Sequence, residues 1–184
     1  MLLYAAALIG VAAGLLTGGS LSNLQAMLRL RWIWVLIIAL LVRVATTVTP
    51  LRAVDGMQYV YVASQVLLAA WAIGNASRLW GLGLAAAGTL LNVAVMLANE
   101  GRMTVAPSSG EVVGRGIVTY KEMTDSTRLN WLGDWIGVAA GRHLPFSGAY
   151  SPGDFVITLG LLVLGFQVTR LRAQPAETRG RIVG

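Results

Sequence analysis

Three charged side chains stand in stretches that are otherwise apolar. Arg43 interrupts Trp32–Thr49, Asp134 lies between Trp131 and Trp135, and Asp154 closes Ser151-Pro152-Gly153-Asp154. A guanidinium and two carboxyls in apolar surroundings can pair and dock one segment on another. If desolvation raises one carboxyl, the same set can hold and release a proton near neutral pH. Arg43 lies six residues before Thr49, about 9 Å along a helix. It is therefore within snorkelling reach of the nearer interface, and Asp134 or Asp154 is its expected partner. Asp154 suits the first turn of a helix, where a carboxylate meets free N–H groups and the positive helix end. Asp134, flanked by indoles, is either a paired docking group or a proton-relay acid.

Other polar positions fall in or beside apolar runs: Gln65, Asn75, Asn92, Asn99 and Gln167. Interhelical hydrogen bonds account for most such residues. The sharper reading of Gln65, Asn92 and Asn99 is a cavity lining for an amphiphile's head group. Gly10 and Gly14 fit Gly-x-x-x-Gly, which allows close backbone approach within the chain or against a partner. Hydrolytic and phosphate-binding motifs are missing: there is no Gly-Lys-Ser/Thr loop, His-Glu-x-x-His or Gly-x-Ser-x-Gly. His143 is the only histidine, Lys121 the only lysine, and cysteine is absent. Multi-His or thiolate metal ligation is thereby excluded, and Ser147 beside His143 makes a poor nucleophile pair. The expectation is no enzyme, no catalytic residue, no metal and no cofactor.

The elements that must position these groups follow from composition. Of 184 residues, 56% are apolar and 12% charged, about half the charge of an ordinary soluble domain, and mean hydropathy is +0.69. Too little polar surface remains to cover a water-soluble globule. Basic residues outnumber acidic ones, 14 to 8, without the basic, aromatic-interleaved stripe of a nucleic-acid binder. The excess fits cytoplasmic flanks and anionic lipid.

Spanning a bilayer takes roughly 20 apolar residues, with about 17 as the lower limit. That spacing predicts spans over 1–17, 32–49, 57–76, 79–99 and 154–169. The first, with no basic n-region before it, reads as a retained helix. Arg29, Arg31, Arg78, Arg170, Arg172, Arg179 and Arg181 fall on one side. By the positive-inside rule the N-terminus is outside and the tail 170–184 cytoplasmic. Ser22-Asn23-Leu24-Gln25 matches a capping box and predicts a cytoplasmic interfacial helix between the first two spans.

The outer loop, 100–153, is too long to be a mere connector. Gly114-Arg115-Gly116 between Glu111–Val113 and Ile117–Tyr120 predicts a small hairpin. Trp131–Gly141 is apolar but short, which suits a re-entrant or interfacial segment.

Three segments carry a resemblance: Asn99-Glu100-Gly101-Arg102-Met103-Thr104-Val105, Trp131-Leu132-Gly133-Asp134-Trp135-Ile136 and Ser151–Gly160. Together they resemble a bacterial multi-pass membrane family known only as a domain of unknown function. Its members carry Asn-Gly-Gly-x-Met-Pro-Val, Leu-Gly/Ala-Asp-Ile and Ser-x-Gly-Asp stretches. Glu100 and Thr104 depart from it, standing where Gly and Pro are usual. The resemblance implies a bacterial plasma-membrane location and no established activity.

The fold expected is an all-α integral membrane protein, a single domain over 1–184. It comprises five transmembrane helices, a cytoplasmic interfacial helix and a long, partly ordered extracytoplasmic loop. The leading functional expectation is a non-enzymatic accessory or scaffold subunit whose loop is pinned by Arg43, Asp134 and Asp154. Its partners would be the lipid bilayer and either another membrane protein or further copies of itself, not nucleic acid. The alternative is a carrier or binding protein for a lipid-like or amphiphilic small molecule, proton-coupled through Asp134.

Overall fold

The computed structural model describes residues 2–107, 118–138 and 148–170. Five helices dominate it: α1 Leu2–Leu16, α2 Ile33–Val48, α3 Met57–Asn75, α4 Trp80–Ala98 and α5 Pro152–Arg170. Their bounds lie within about two residues of the apolar runs, because the run lengths themselves report where polar backbone ends may be exposed. Three of them, α3, α4 and α5, are long and apolar enough to cross a membrane. At 15 and 16 residues, α1 and α2 reach only about 22 and 24 Å.

The helices stand in a row, α1–α5–α4–α3–α2. Glycine makes the row tight. A Cβ on Gly10 would strike the Leu162 carbonyl and one on Gly14 the Thr169 hydroxyl, so the Gly-x-x-x-Gly face of α1 is spent on α5. On the other flank of α5, Gly160 lies against the backbone of Gly81 and Ala85, and Gly153 against Gly88 and Asn92. The order of these contacts makes α1 and α5 parallel and α4 and α5 antiparallel. Two apolar clusters fill the row. One joins Leu30, Trp71, Leu79, Leu82, Leu164 and Val168 at the end where α3 stops. The other joins Val62, Val93, Val95 and Met96 to Met103 and Leu132 of the long loop. That loop therefore completes the core at its end of the bundle.

Four short strands in the loop depart from the all-α expectation. β1, Met103–Val105, pairs in parallel with β2, Tyr120–Glu122, and β3, Ile136–Val138, pairs antiparallel with β4, Gly148–Tyr150. On its free edge β1 also takes Asp134 in a parallel bridge: Asp134 N–H donates to Thr104 O at 2.8 Å, and Ala106 N–H to Asp134 O at 2.9 Å. The segment expected to be re-entrant or interfacial is not α-helical where it is described. Residues 130–138 form a 3₁₀ turn and then strands, their backbone groups satisfied by a sheet rather than a helix. Trp131 and Trp135 both expose their rings, and Trp135 Nε1–H donates to the Trp131 backbone carbonyl at 2.8 Å. The hairpin centred on 114–116 lies outside the described residues, apart from Val118 to Tyr120.

Between α1 and α2, Leu21–Arg29 forms a 3₁₀ helix. Its expected capping box does not form. Ser22 is already inside the helix, and Ser20 precedes it, accepting from Ser22 N–H on its hydroxyl and from Asn23 N–H on its carbonyl. Ser20 N–H and Asn23 Nδ2 both donate to Thr169 O, satisfying a carbonyl at the end of α5.

Two asparagines repeat one device. Asn75, ending α3, accepts from Arg31 N–H at 2.9 Å and donates to its carbonyl at 3.2 Å. Asn99, after α4, does the same to Arg128 at 2.8 and 2.7 Å. The next residues, Trp32 and Leu129, take φ of 53° and 56° and open α2 and the 130–132 turn. Each amide thus holds a helix start that left-handed backbone would otherwise disfavour.

Glu100 is a third left-handed residue, at φ 60°, followed by Gly101 at 79°. Its carboxylate lies 3.8 Å from Lys121, largely in solvent, an arrangement worth about 0–1 kcal/mol. A side chain at this φ costs about 1–2 kcal/mol. Glu100→Gly should therefore stabilise the protein, by about 0.5 kcal/mol after the flexibility glycine adds to the unfolded chain. A lower thermal midpoint in detergent would show that the Lys121 pair outweighs the strain.

Candidate functional site

The polar groups at the loop-bearing end of the bundle are set by four helices and the long loop. On α2, Arg43 Nη1 donates to Gln65 Oε1 of α3 at 2.9 Å, and its guanidinium lies 5.5 Å from the Tyr61 ring centre. Gln65 Nε2 donates in turn to the Tyr61 hydroxyl at 3.1 Å. Tyr61 and Gln65 are one helical turn apart, so both face α2. Among the described residues no ion pair joins Arg43 to Asp134 or Asp154. The direct pairing expected for Arg43 is replaced by an amide and an aromatic face, which hold a guanidinium without a counter-charge.

Between α4 and α5, Asn92 Nδ2 donates to Asp154 Oδ1 at 2.9 Å, and Ser151 Oγ donates to Asn92 Oδ1 at 2.9 Å. Ser151 and Asp154 also cap α5 reciprocally. Asp154 N–H donates to Ser151 Oγ at 2.9 Å, and Ser151 N–H to Asp154 Oδ2 at 3.2 Å. This is the capping box of the chain. Both carboxylate oxygens of Asp154 are satisfied by neutral donors, and Gly153 lets α4 come close enough for it.

The loop supplies the third part. In the parallel register Met103 pairs with Tyr120, and Val105 with Asp134, so these side chains share one face of the layer. That is the face on which Met103 and Tyr120 pack against the bundle. Asp134 is 7% exposed, and its Oδ1 has no hydrogen-bond partner. Burial, and then the charge of Asp154, push its carboxyl up to about 8. Burial also raises Tyr120, which feels Tyr61, Asp134, Asp154 and Arg43. Asp134 and Tyr120 thus both lie in the field of Asp154, beneath the long loop that caps this end of the bundle.

The structure brings together Arg43, Asp134, Asp154, Gln65 and Asn92, and it uses Asn99 to anchor the loop beside them. Gly10 and Gly14 lie apart, on the α1–α5 seam. His143 and Ser147 are outside the described residues. Tyr61, Tyr120 and Ser151 were missed. The four-residue spacing of Tyr61 and Gln65 and the Ser-x-x-Asp pattern at 151–154 were readable signals, whereas nothing local announces Tyr120.

As assembled, the site can hold a proton on Asp134. Among the described residues no three His, Cys, Asp or Glu side chains gather to hold a metal.

Neither a curated protein nor a solved structure matches the chain. A family profile does match, over residues 27–166, a stretch that starts after α1 and holds every residue of this site. The chain belongs to DUF5317, a family of unknown function.

Proposed function

We propose that the protein is a five-span plasma-membrane protein of bacteria, with its N-terminus outside and its C-terminus cytoplasmic. It binds the polar head of a small amphiphile beneath the outer cap, as a binding or carrier protein without enzymatic chemistry. One observation carries this reading: the buried Asp134 carboxyl, turned toward the bundle with Oδ1 unpartnered. A docking group satisfies both of its oxygens, as Asp154 does, because an unsatisfied buried acceptor costs about 1–3 kcal/mol. The accessory-subunit reading had Arg43, Asp134 and Asp154 pin the loop; Asn99 on Arg128 and the Met103 and Leu132 side chains in the core also hold it, which leaves the Asp134 carboxyl free for a guest.

Five spans are supported by the packing of α1 and α2 on longer apolar helices, and by exposed rings at both ends. Trp32, Trp34 and Trp80 mark one end, and Tyr4, Tyr59, Trp131 and Trp135 the other. Such belts sit at the two membrane interfaces. The test is native mass spectrometry of the tagged, detergent-purified chain, followed by uptake of any bound molecule into proteoliposomes at pH 6 and 8. One small molecule bound stoichiometrically, lost in Asp134→Asn, is the expected result. Recovery in a stoichiometric complex with another membrane protein, with nothing small bound, would restore the accessory reading.

A further inference from the structure

Among the described residues, the charges beneath the long loop do not balance. Asp134 and Asp154 contribute two carboxyls and Arg43 one guanidinium, drawn from the loop, α5 and α2. Among the described residues, the other titratable groups coupled to them are the phenols of Tyr61 on α3, Tyr120 on β2 and Tyr150 on β4. Arg43 is held by Gln65 and Tyr61, and Asp154 by Asn92 and Ser151, all neutral. The group left over is Asp134, more than nine-tenths buried, with Oδ1 free. A site so composed is neutral only when it takes one more positive charge.

We infer that this charge is exchangeable, and that the guest beneath the cap is a primary ammonium, RNH₃⁺, held by the Asp134 carboxylate beside the phenols of Tyr61 and Tyr120. The inference rests on the binding reading above and names the chemistry of the guest. An anionic head would meet two carboxyls against one guanidinium. A divalent metal would find too few ligands among the described residues. A primary ammonium brings a single charge and three donors, and aromatic rings favour it further, as the seat of Arg43 over Tyr61 already illustrates.

The exchange is balanced. Asp134–COOH and RNH₃⁺ give the Asp134–COO⁻·RNH₃⁺ pair and one proton, which leaves to solvent. Ammonium and proton compete for one oxygen. Affinity should therefore rise about tenfold per pH unit on the acid side of the Asp134 titration and level off above it. With Asp134 pushed up to about 8, the steep range includes pH 6 to 7.

The experiment uses the full chain in phosphatidylcholine nanodiscs. Ethylammonium chloride is titrated at pH 6, 7 and 8, with binding read by calorimetry and proton release by an indicator dye in weak buffer. A second series raises the phosphatidylethanolamine content of the discs and reads displacement of ethylammonium. Saturable binding that tightens about tenfold from pH 6 to 7 and releases one proton per site supports the inference. So does its loss in Asp134→Asn, a shape-matched neutral variant that keeps the fold. Displacement by the lipid identifies the source as a head group, and no displacement identifies a free amine.

Equal affinity at pH 6 and 8, or unchanged binding in Asp134→Asn, would overturn it. Should an anionic or neutral amphiphile bind in an Asp134-dependent way while ethylammonium does not, the binding reading stands and the ammonium inference falls. If nothing small binds, both fall.

Discussion

Asp134→Asn is expected to stabilise the protein at neutral and alkaline pH and to remove most of its loss of stability between pH 4 and 8. The sign follows from the direction of the shift. The folded carboxyl is raised from 3.8 to about 8 by burial and then by Asp154, so the fold prefers the protonated form. Below about pH 4 both states hold the proton and nothing is lost. As pH rises through that window the unfolded chain has released its proton while the folded chain keeps it, so stability falls. Above about 8 the carboxylate is ionised in both states and the full cost is in place. About four units at about 1.4 kcal/mol each set a ceiling near 6 kcal/mol, and relaxation around the carboxylate brings the expectation to several kcal/mol. Asparagine keeps the shape of the neutral acid and never ionises. The measurement is the thermal midpoint of both proteins in one detergent at pH 4.5, 6, 7 and 8.5. Their difference isolates Asp134 from the other carboxyls. Equal midpoints at all four values, or a less stable Asn variant at pH 8.5, would mean that the ionised carboxylate is already well paired. A gain in stability with loss of ligand binding would mark a group kept at a cost for function.

The helices were legible because the constraint on them is local. An apolar run of the right length ended by Pro50, Arg78 or Arg170 can be read without knowing its neighbours. The loop-bearing end was legible only in part. Asp134, Asp154, Arg43, Gln65, Asn92 and Asn99 stood out by type, since a polar group in an apolar stretch must find a partner. Their partners did not, because pairing is decided by packing across the row. Arg43 was expected to meet an aspartate and meets Gln65 and Tyr61 instead. The three-residue strands are too short to show alternation. The parallel pairing of β1 with β2 and the bridge to Asp134 join segments that no local pattern connects. The capping box was assigned to Ser22–Gln25, where the motif matched, and passed over at Ser151–Asp154, where it forms. Asp154 reads from sequence as a first-turn carboxylate that meets free N–H groups; its reciprocal bond with Ser151 appears only in the structure. Even so, the three segments singled out by resemblance converge. Asn99 anchors the loop, Asp134 faces the bundle, and Ser151 with Asp154 closes the seam between α4 and α5.

That seam carries the other large effect. Gly81→Ala and Gly83→Ala, two residues apart on α4, should change stability in opposite directions. A Cβ on Gly81 would stand 2.7 Å from both Gly160 O and Leu164 N, and 3.0 Å from Leu164 Cα, all backbone of α5. Backbone cannot swing aside as a side chain can, so α4 and α5 must part. Overpacking of this kind costs about 1–3 kcal/mol and occasionally more. The same parting would loosen Gly81 N–H from Gln167 Oε1, now at 2.9 Å. A Cβ on Gly83 meets only Ala76 Cβ, at 3.5 Å, which is ordinary contact. Alanine there keeps the fold and recovers about 0.5–1 kcal/mol of helix propensity. Urea or thermal melts in one detergent would read both changes. Equal effects in the two variants would mean that α5 does not lie on Gly81 as described. A destabilised Gly81→Ala should also weaken whatever binds beneath the cap, since parting α4 from α5 separates Asn92 from Asp154. Gly83→Ala should leave binding intact, which separates loss of the seam from a general response to added methyl groups on α4.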